Sequence, residues 1–250
     1  MKRDASSLGV LGFGAFGRLL VAELSPHVDR VLVHDPATTD LGGRVAAIED
    51  VAGCDVVVLA VPVRAMEDVC VAIAPHVRPG ALVADVASVK LLPVEVMERV
   101  LPGHCEILGT HPLFGPQTRA EFGTVRGQGC VLCPVRVGDE TLMRVRGLLG
   151  DEHDGGLGLR LIDRPPDEHD REMALVQVLT HWIGHAGREM GWPELETATV
   201  AYTRLMQLTH NVEHDSEALF ETIQRFNPHA ASARERFVAA LHAVGRRIEG

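Results

Sequence analysis

The chain has 250 residues, 46% of them hydrophobic, enough to bury a core in one large domain or in a large and a small one. Its formal net charge of -10, from 24 basic and 34 acidic side chains, leaves nothing for the counterion release that drives nucleic-acid binding. No apolar run nears the roughly 20 residues that span a bilayer, and the N-terminal segment lacks a signal peptide's apolar stretch, so a cytoplasmic protein without nucleic-acid or membrane partners is expected.

Residues 8–12 read as a short apolar strand, 15–24 as a helix and 30–35 as a second strand. Residues 54–61 are a continuous apolar run, the pattern of a strand covered by helices on both faces. A helix over 66–76, broken by Pro79-Gly80, leads to a strand over 81–86, a helix over 93–100 and a strand over 106–109. Residues 129–134 are strand-like, and 151–164 are expected to hold a loop and a last edge strand. From Pro165 onward only helical periodicity remains, over 170–190, 194–212, 216–226 and 228–248. Strands alternating with helices predict an α/β fold, a Rossmann-type doubly wound parallel sheet over residues 1–164. A small all-helical domain over 165–250 is expected to follow it.

The segment Gly12-Phe13-Gly14-Ala15-Phe16-Gly17 matches GxGxxG between that first strand and helix. Gly12 permits the tight turn, Gly14 lets the backbone approach a pyrophosphate, and Gly17 lets helix and strand pack closely. The bare pattern also describes an ordinary turn. Its context favours the dinucleotide reading, because Asp35 ends the second strand about 20 residues on, where a carboxylate accepts the ribose hydroxyls. Asp35 would repel a 2′-phosphate, so the expected cofactor is NAD.

Three more segments stand at strand ends, where open α/β sheets place ligands. They are Ala60-Val61-Pro62, Asp85-Val86-Ala87-Ser88-Val89-Lys90, and Gly109-Thr110-His111-Pro112 running on to Gly115-Pro116. Val61, Pro62 and Ala87 are candidate cofactor contacts. An imidazole just beyond a strand is a natural general base for a hydroxyl near neutral pH, which makes His111 the candidate. A role as a loop hydrogen-bonder is the competing reading. No metal is expected. Cys130 and Cys133 are three apart on a strand and so face opposite ways, and nothing is placed to complete a site with His181 and His185 or with His210 and His214. The five cysteines are expected as buried, reduced thiols.

Taken in order and spacing, the Gly12–Gly17 loop, Val33-His34-Asp35-Pro36, Leu59-Ala60-Val61-Pro62, Asp85–Lys90 and Thr110–Pro116 resemble the prephenate/arogenate dehydrogenase family. The run His169-Asp170-Arg171 with Thr180-His181-Trp182 resembles that family's helical domain. The resemblance implies oxidative decarboxylation of prephenate or arogenate in tyrosine biosynthesis. Hydride would pass to NAD, with His111 as base and Ser88 positioning the hydroxyl or the imidazole. It further implies substrate contacts from His169, His181 and Arg204. The two histidines are twelve residues apart, about three turns and a third, and so on roughly one side of a helix. Arg204 stands about a residue from the family's spacing, where a solvated helix arginine is the alternative, though a guanidinium there could grip a carboxylate. Gln117 stands where many relatives carry an acid. Relatives dimerise through the helical domain, so a homodimer is expected, and neither a regulatory nor a mutase domain is expected. Two other functions stay open: a dehydrogenase acting on 4-amino-4-deoxyprephenate, and an NAD-binding sensor without turnover.

Overall fold

The computed structural model describes residues 7–38, 43–150, 155–213 and 215–249. His214 and the start of the predicted 151–164 loop fall outside them. The chain divides into two compact units, residues 1–166 and 167–250, two residues beyond the boundary expected from sequence.

The first unit is a seven-stranded sheet in the order β2-β1-β3-β4-β5-β6-β7. Its strands are β1 (Ser7–Leu11), β2 (Arg30–His34), β3 (Val56–Leu59), β4 (Leu82–Asp85), β5 (Glu106–Pro112), β6 (Gly129–Arg136) and β7 (Arg160–Asp163). The first five run parallel; β6 pairs antiparallel with β5, and β7 runs parallel with β6. The order turns about β1, with β2 on one side and β3 on the other, which is the switch point where such sheets hold ligands.

Alternation along the strands sorts two apolar layers. Leu11, Val57, Leu59, Val83 and Ile107 pack on one face against α3 (Met66–Ile73) and α4 (Leu91–Val100). Leu8, Val10, Val58, Leu82 and Leu108 pack on the other against α1 (Ala15–Leu24) and part of the later helix at Asp139–Gly150. Three short or polar helices were not legible in the sequence: α2 (Ile48–Ala52), α5 (Pro116–Phe122) and α6 (Asp139–Gly150). The first is five residues long, and the other two bury no residue fully, so their apolar periodicity is weak.

The second unit is helical. Its first helix runs from Pro166 to Glu189 in three pieces: Pro166–Met173, a π-helical stretch at Ala174–Val178, and Leu179–Glu189. Helices at Val200–Asn211, Glu217–Arg225 and Ala230–Glu249 follow. The first of these begins at Val200 rather than 194, because Thr199 Oγ1 caps it by accepting from the Tyr202 amide at 3.2 Å. Gly184 and Gly187 let Leu179–Glu189 lie close to Val200–Asn211, since a Cβ on Gly184 would stand 2.5 Å from the Leu208 carbonyl oxygen. Among the described residues no helix is long and apolar enough to cross a membrane.

Candidate active site

The glycine loop leaves β1 at the switch point. Gly12 has φ +95°, a conformation that favours glycine, and a Cβ there would stand 2.4 Å from the Ala60 carbonyl oxygen. A Cβ on Gly17 would stand 2.3 Å from the Gly12 carbonyl oxygen, so the start of α1 can close on the turn only without one. Gly14 is the reverse case, with nothing within 4 Å of its would-be Cβ. Its open backbone, at the N-terminal end of α1, leaves space in which a pyrophosphate could be held. Phe13 is buried, with the Arg18 guanidinium 4.5 Å above its ring, while Ala15 is exposed and Phe16 half-buried.

The Asp35 carboxylate is fixed by the same loop. Its Oδ2 accepts from the Phe13 amide at 2.6 Å and its Oδ1 from the Ala37 amide at 2.8 Å. Charge-assisted bonds of this kind hold the acid beside the glycine turn with lone pairs left for a ribose. Val61 and Pro62 follow β3, whose exit is tied to β1 by the Ala60 amide donating to the Leu11 carbonyl at 2.8 Å.

Ala87 and Ser88 lie half-buried in the turn between β4 and α4. His111 lies inside β5, which runs on to Pro112, and not beyond the strand as the sequence suggested. Pairing with Val131 of β6 carries the ladder past Gly109 and leaves His111 only 3% exposed. The ends of β2, β1, β3, β4 and β5, neighbours in that order, therefore carry Asp35, the glycine loop, Val61, Ser88 and His111. Sequence reasoning gave no role to two more residues on this edge, Asp85 and Lys90. Both are fully buried and form an ion pair, and the signal available was a lysine inside an otherwise apolar stretch.

Gln117 is exposed in the helix Pro116–Phe122, and Arg204 is exposed on Val200–Asn211. His169 is fully buried with its Nδ1 2.8 Å from Asp170 Oδ1, and Asn227 ties that stretch down by donating to the Asp170 carbonyl at 2.7 Å. His181 Nδ1 is 2.9 Å from Asp215 Oδ2, but off the line of a well-aligned hydrogen bond. Twelve residues of regular α-helix would leave His169 and His181 about 120° apart, not on one side. The π turn at Ala174–Val178 takes up about one extra residue and brings them back to within about 20°. Gln224 Nε2 supports that turn by donating to the Val178 carbonyl at 2.9 Å.

Cys130 packs with Leu108 and Leu132 on one sheet face, and Cys133 lies against Gly109 on the other. Burial pushes the Cys130 thiol up to about 12, as it does Cys70, so neither ionises near neutral pH. Among the described residues no group of three His, Cys, Asp or Glu could hold a metal ion.

A glycine loop at the switch point, an acid ending the second strand and a buried histidine at the fifth define a nucleotide-binding Rossmann domain of dehydrogenase type. Residues 33–153 match the family model for the prephenate dehydrogenase nucleotide-binding domain, and residues 187–250 match that of a TYRAAT1-like C-terminal domain. The chain belongs to the prephenate/arogenate dehydrogenase family. The first match takes in Asp35, Ser88 and His111 but begins after the glycine loop, which its sequence pattern and its geometry identify.

Arogenate dehydrogenase 2, chloroplastic, of Arabidopsis thaliana is 29% identical over 258 residues, covering 100% of this chain and 72% of that protein. The probable arogenate/prephenate dehydrogenase of Methanocaldococcus jannaschii is 31% identical over 193 residues, covering 74% of this chain. That alignment spans only 41% of the Methanocaldococcus protein's length. The crystal structure of prephenate dehydrogenase from A. aeolicus, in complex with hydroxyphenyl propionate and NAD+, shares the fold. Its TM-score is 0.75 at 18% identity, over 99% of this chain and 92% of that one.

Proposed function

We propose that the chain oxidises a cyclohexadienyl acid, prephenate or arogenate, with NAD, and that CO₂ leaves as the ring becomes aromatic. The products are 4-hydroxyphenylpyruvate or tyrosine, which places the reaction in tyrosine biosynthesis. The observation that carries this reading is His111, a buried imidazole on the strand-end row that also holds the glycine loop and Asp35. When bound, NAD supplies the hydride acceptor. Gly12, Gly14 and Gly17 would hold its pyrophosphate, Asp35 its ribose, and Val61, Pro62 and Ala87 would flank the nicotinamide.

His111 accepts the proton of the ring hydroxyl as the hydride leaves the same carbon, and Ser88 holds the hydroxyl or the imidazole in place. The ring carbon bearing the carboxylate then releases CO₂, and the electron pair of that bond completes the aromatic ring. His169, His181 and Arg204, with Gln117, would take the substrate's carboxylates and side chain.

Purified protein with NAD and, in parallel, prephenate, arogenate and 4-amino-4-deoxyprephenate tests the reading through the ultraviolet absorbance of reduced nicotinamide. Turnover of prephenate or arogenate upholds it. Turnover of the amino substrate alone moves the enzyme to secondary metabolism. Silence with all three, with NAD bound, leaves a nucleotide sensor.

Two further expectations accompany this function. Asp35→Asn loses the charge and can accept from only one of the two amides that Asp35 now holds, Phe13 and Ala37, so NAD affinity should fall roughly tenfold and the preference over NADP should narrow. Titration of both cofactors by protein fluorescence reads this, and an unchanged ratio would remove Asp35 from cofactor selection. The helix Ala230–Glu249 exposes Leu241, Val244 and Ile248, the last at 80%, as one apolar stripe suited to a second copy of this chain. Light scattering at micromolar concentration should give twice the 27.0 kDa chain mass; a monomer mass would end the dimer proposal.

A further inference from the structure

Asp85 and Lys90 are each 0% exposed, and Lys90 Nζ donates to Asp85 Oδ1. Withdrawing two charges from water is costly, and an apolar pair of similar volume is often as stable. Such a pair therefore calls for a use beyond stability, and its other attachments supply one. Lys90 Nζ also donates to the Thr110 carbonyl at 2.6 Å, the peptide immediately before His111. Asp85 Oδ1 also accepts from the Ala87 amide at 2.9 Å, the peptide immediately before Ser88. The Thr110 hydroxyl closes the arrangement by donating to the Asp85 carbonyl at 2.6 Å.

The local sequence makes room for this network. A Cβ on Gly109 would stand 3.3 Å from Lys90 Cδ and 3.2 Å from both Val94 Cγ2 and Cys133 Cβ. Glycine at 109 thus leaves the path the lysine stem takes to reach β5. Asp85 and Gly109 are register partners on adjacent parallel strands, so the pair spans the β4–β5 seam where Ser88 and His111 emerge.

We propose that Lys90 and Asp85 are positioning residues that hold the Ser88 turn and the His111 backbone in one fixed relation. Neither touches the reacting atoms. The pair sets the distance and angle at which His111 meets a hydroxyl held by Ser88. This rests on the reading of His111 as the base.

The test uses Lys90→Met and the double variant Asp85→Asn/Lys90→Met in the full chain. The single variant strands a carboxylate and is the one at risk of unfolding; the double variant removes both charges and carries the test if that happens. The expected result is a fall in kcat of about 100-fold, the effect of misplacing a reacting group by about 1 Å, with KM for NAD changed less than twofold. The ring ¹H–¹⁵N resonances of His111, assigned by their loss in His111→Asn, should shift in the folded variants without any substrate.

Wild-type turnover judges the reaction proposed above independently; if it is absent that reading falls, and the His111 resonances alone decide the role of the pair. An unmoved His111 resonance in a folded variant overturns the proposal, as does a kcat within threefold of an active wild type. Loss of fold in both variants assigns the pair to stability and overturns it too.

Discussion

His111→Asn should lower kcat by about 10²–10⁴-fold while leaving NAD binding intact. Asparagine keeps a comparable volume and can still hydrogen-bond, but it has no basic nitrogen at neutral pH. The site is buried on β5 between the β4 and β6 ladders, so the substitution leaves the strand and its pairing in place. The loss belongs to the chemical step and should appear in single-turnover reduction of NAD, with cofactor affinity measured separately by fluorescence. Retention of kcat within threefold would remove His111 as the base and return it to the role of a buried strand histidine.

Gly12→Ala carries the largest expected cost in stability. The residue sits at φ +95°, and its Cβ would meet the Ala60 carbonyl oxygen at 2.4 Å. The first cost is intrinsic, about 1–3 kcal/mol for a residue with a Cβ in a sparsely populated region. The second is steric, typically 1–3 kcal/mol, because the obstructing atom is backbone tied to β1 through the Ala60 amide and cannot rotate away. Together they give about 2–6 kcal/mol. For a chain of this size that lowers the melting temperature by roughly 4–24 °C. The same movement displaces the Phe13 amide from Asp35, so NAD should also lose its stabilising effect in a thermal melt. Gly14→Ala is the control: its Cβ meets nothing within 4 Å, so the fold should hold and only cofactor affinity should drop. A Gly12→Ala protein that melts like the wild type and binds NAD normally would refute the close approach at this turn.

The contrast between these two glycines cannot be read from GxGxxG alone. The motif says that three glycines are needed; the fold shows that one is held by dihedral and clash, one by packing, and one by the space it leaves open.

What the sequence determined by itself was the class of fold and the nucleotide loop at the sheet edge. The continuous Val-rich run at 54–61 reads as a strand covered on both sides, and glycine and acid at the right spacing name a nucleotide site, because both signals are local in the chain. Family motifs around Ser88 and His111 were legible for the same reason. Tertiary structure decided what depends on partners distant in sequence. Pairing with Val131 drew His111 into β5, and the Thr199 cap shortened a helix whose periodicity began at 194. Counting residues put His169 and His181 on one side of a helix, but a regular α-helix would leave them about 120° apart; it is the π turn at Ala174–Val178 that offsets the difference. Lys90 and Asp85 are the sharpest case. Five residues apart, they had no role of their own in the sequence beyond bounding a strand-end segment; only the β4–β5 seam, with Gly109 clearing a path and the Thr110 carbonyl waiting across it, turns them into a buried pair. A buried charge is tolerable only where its partners already stand, and those partners are supplied by the fold.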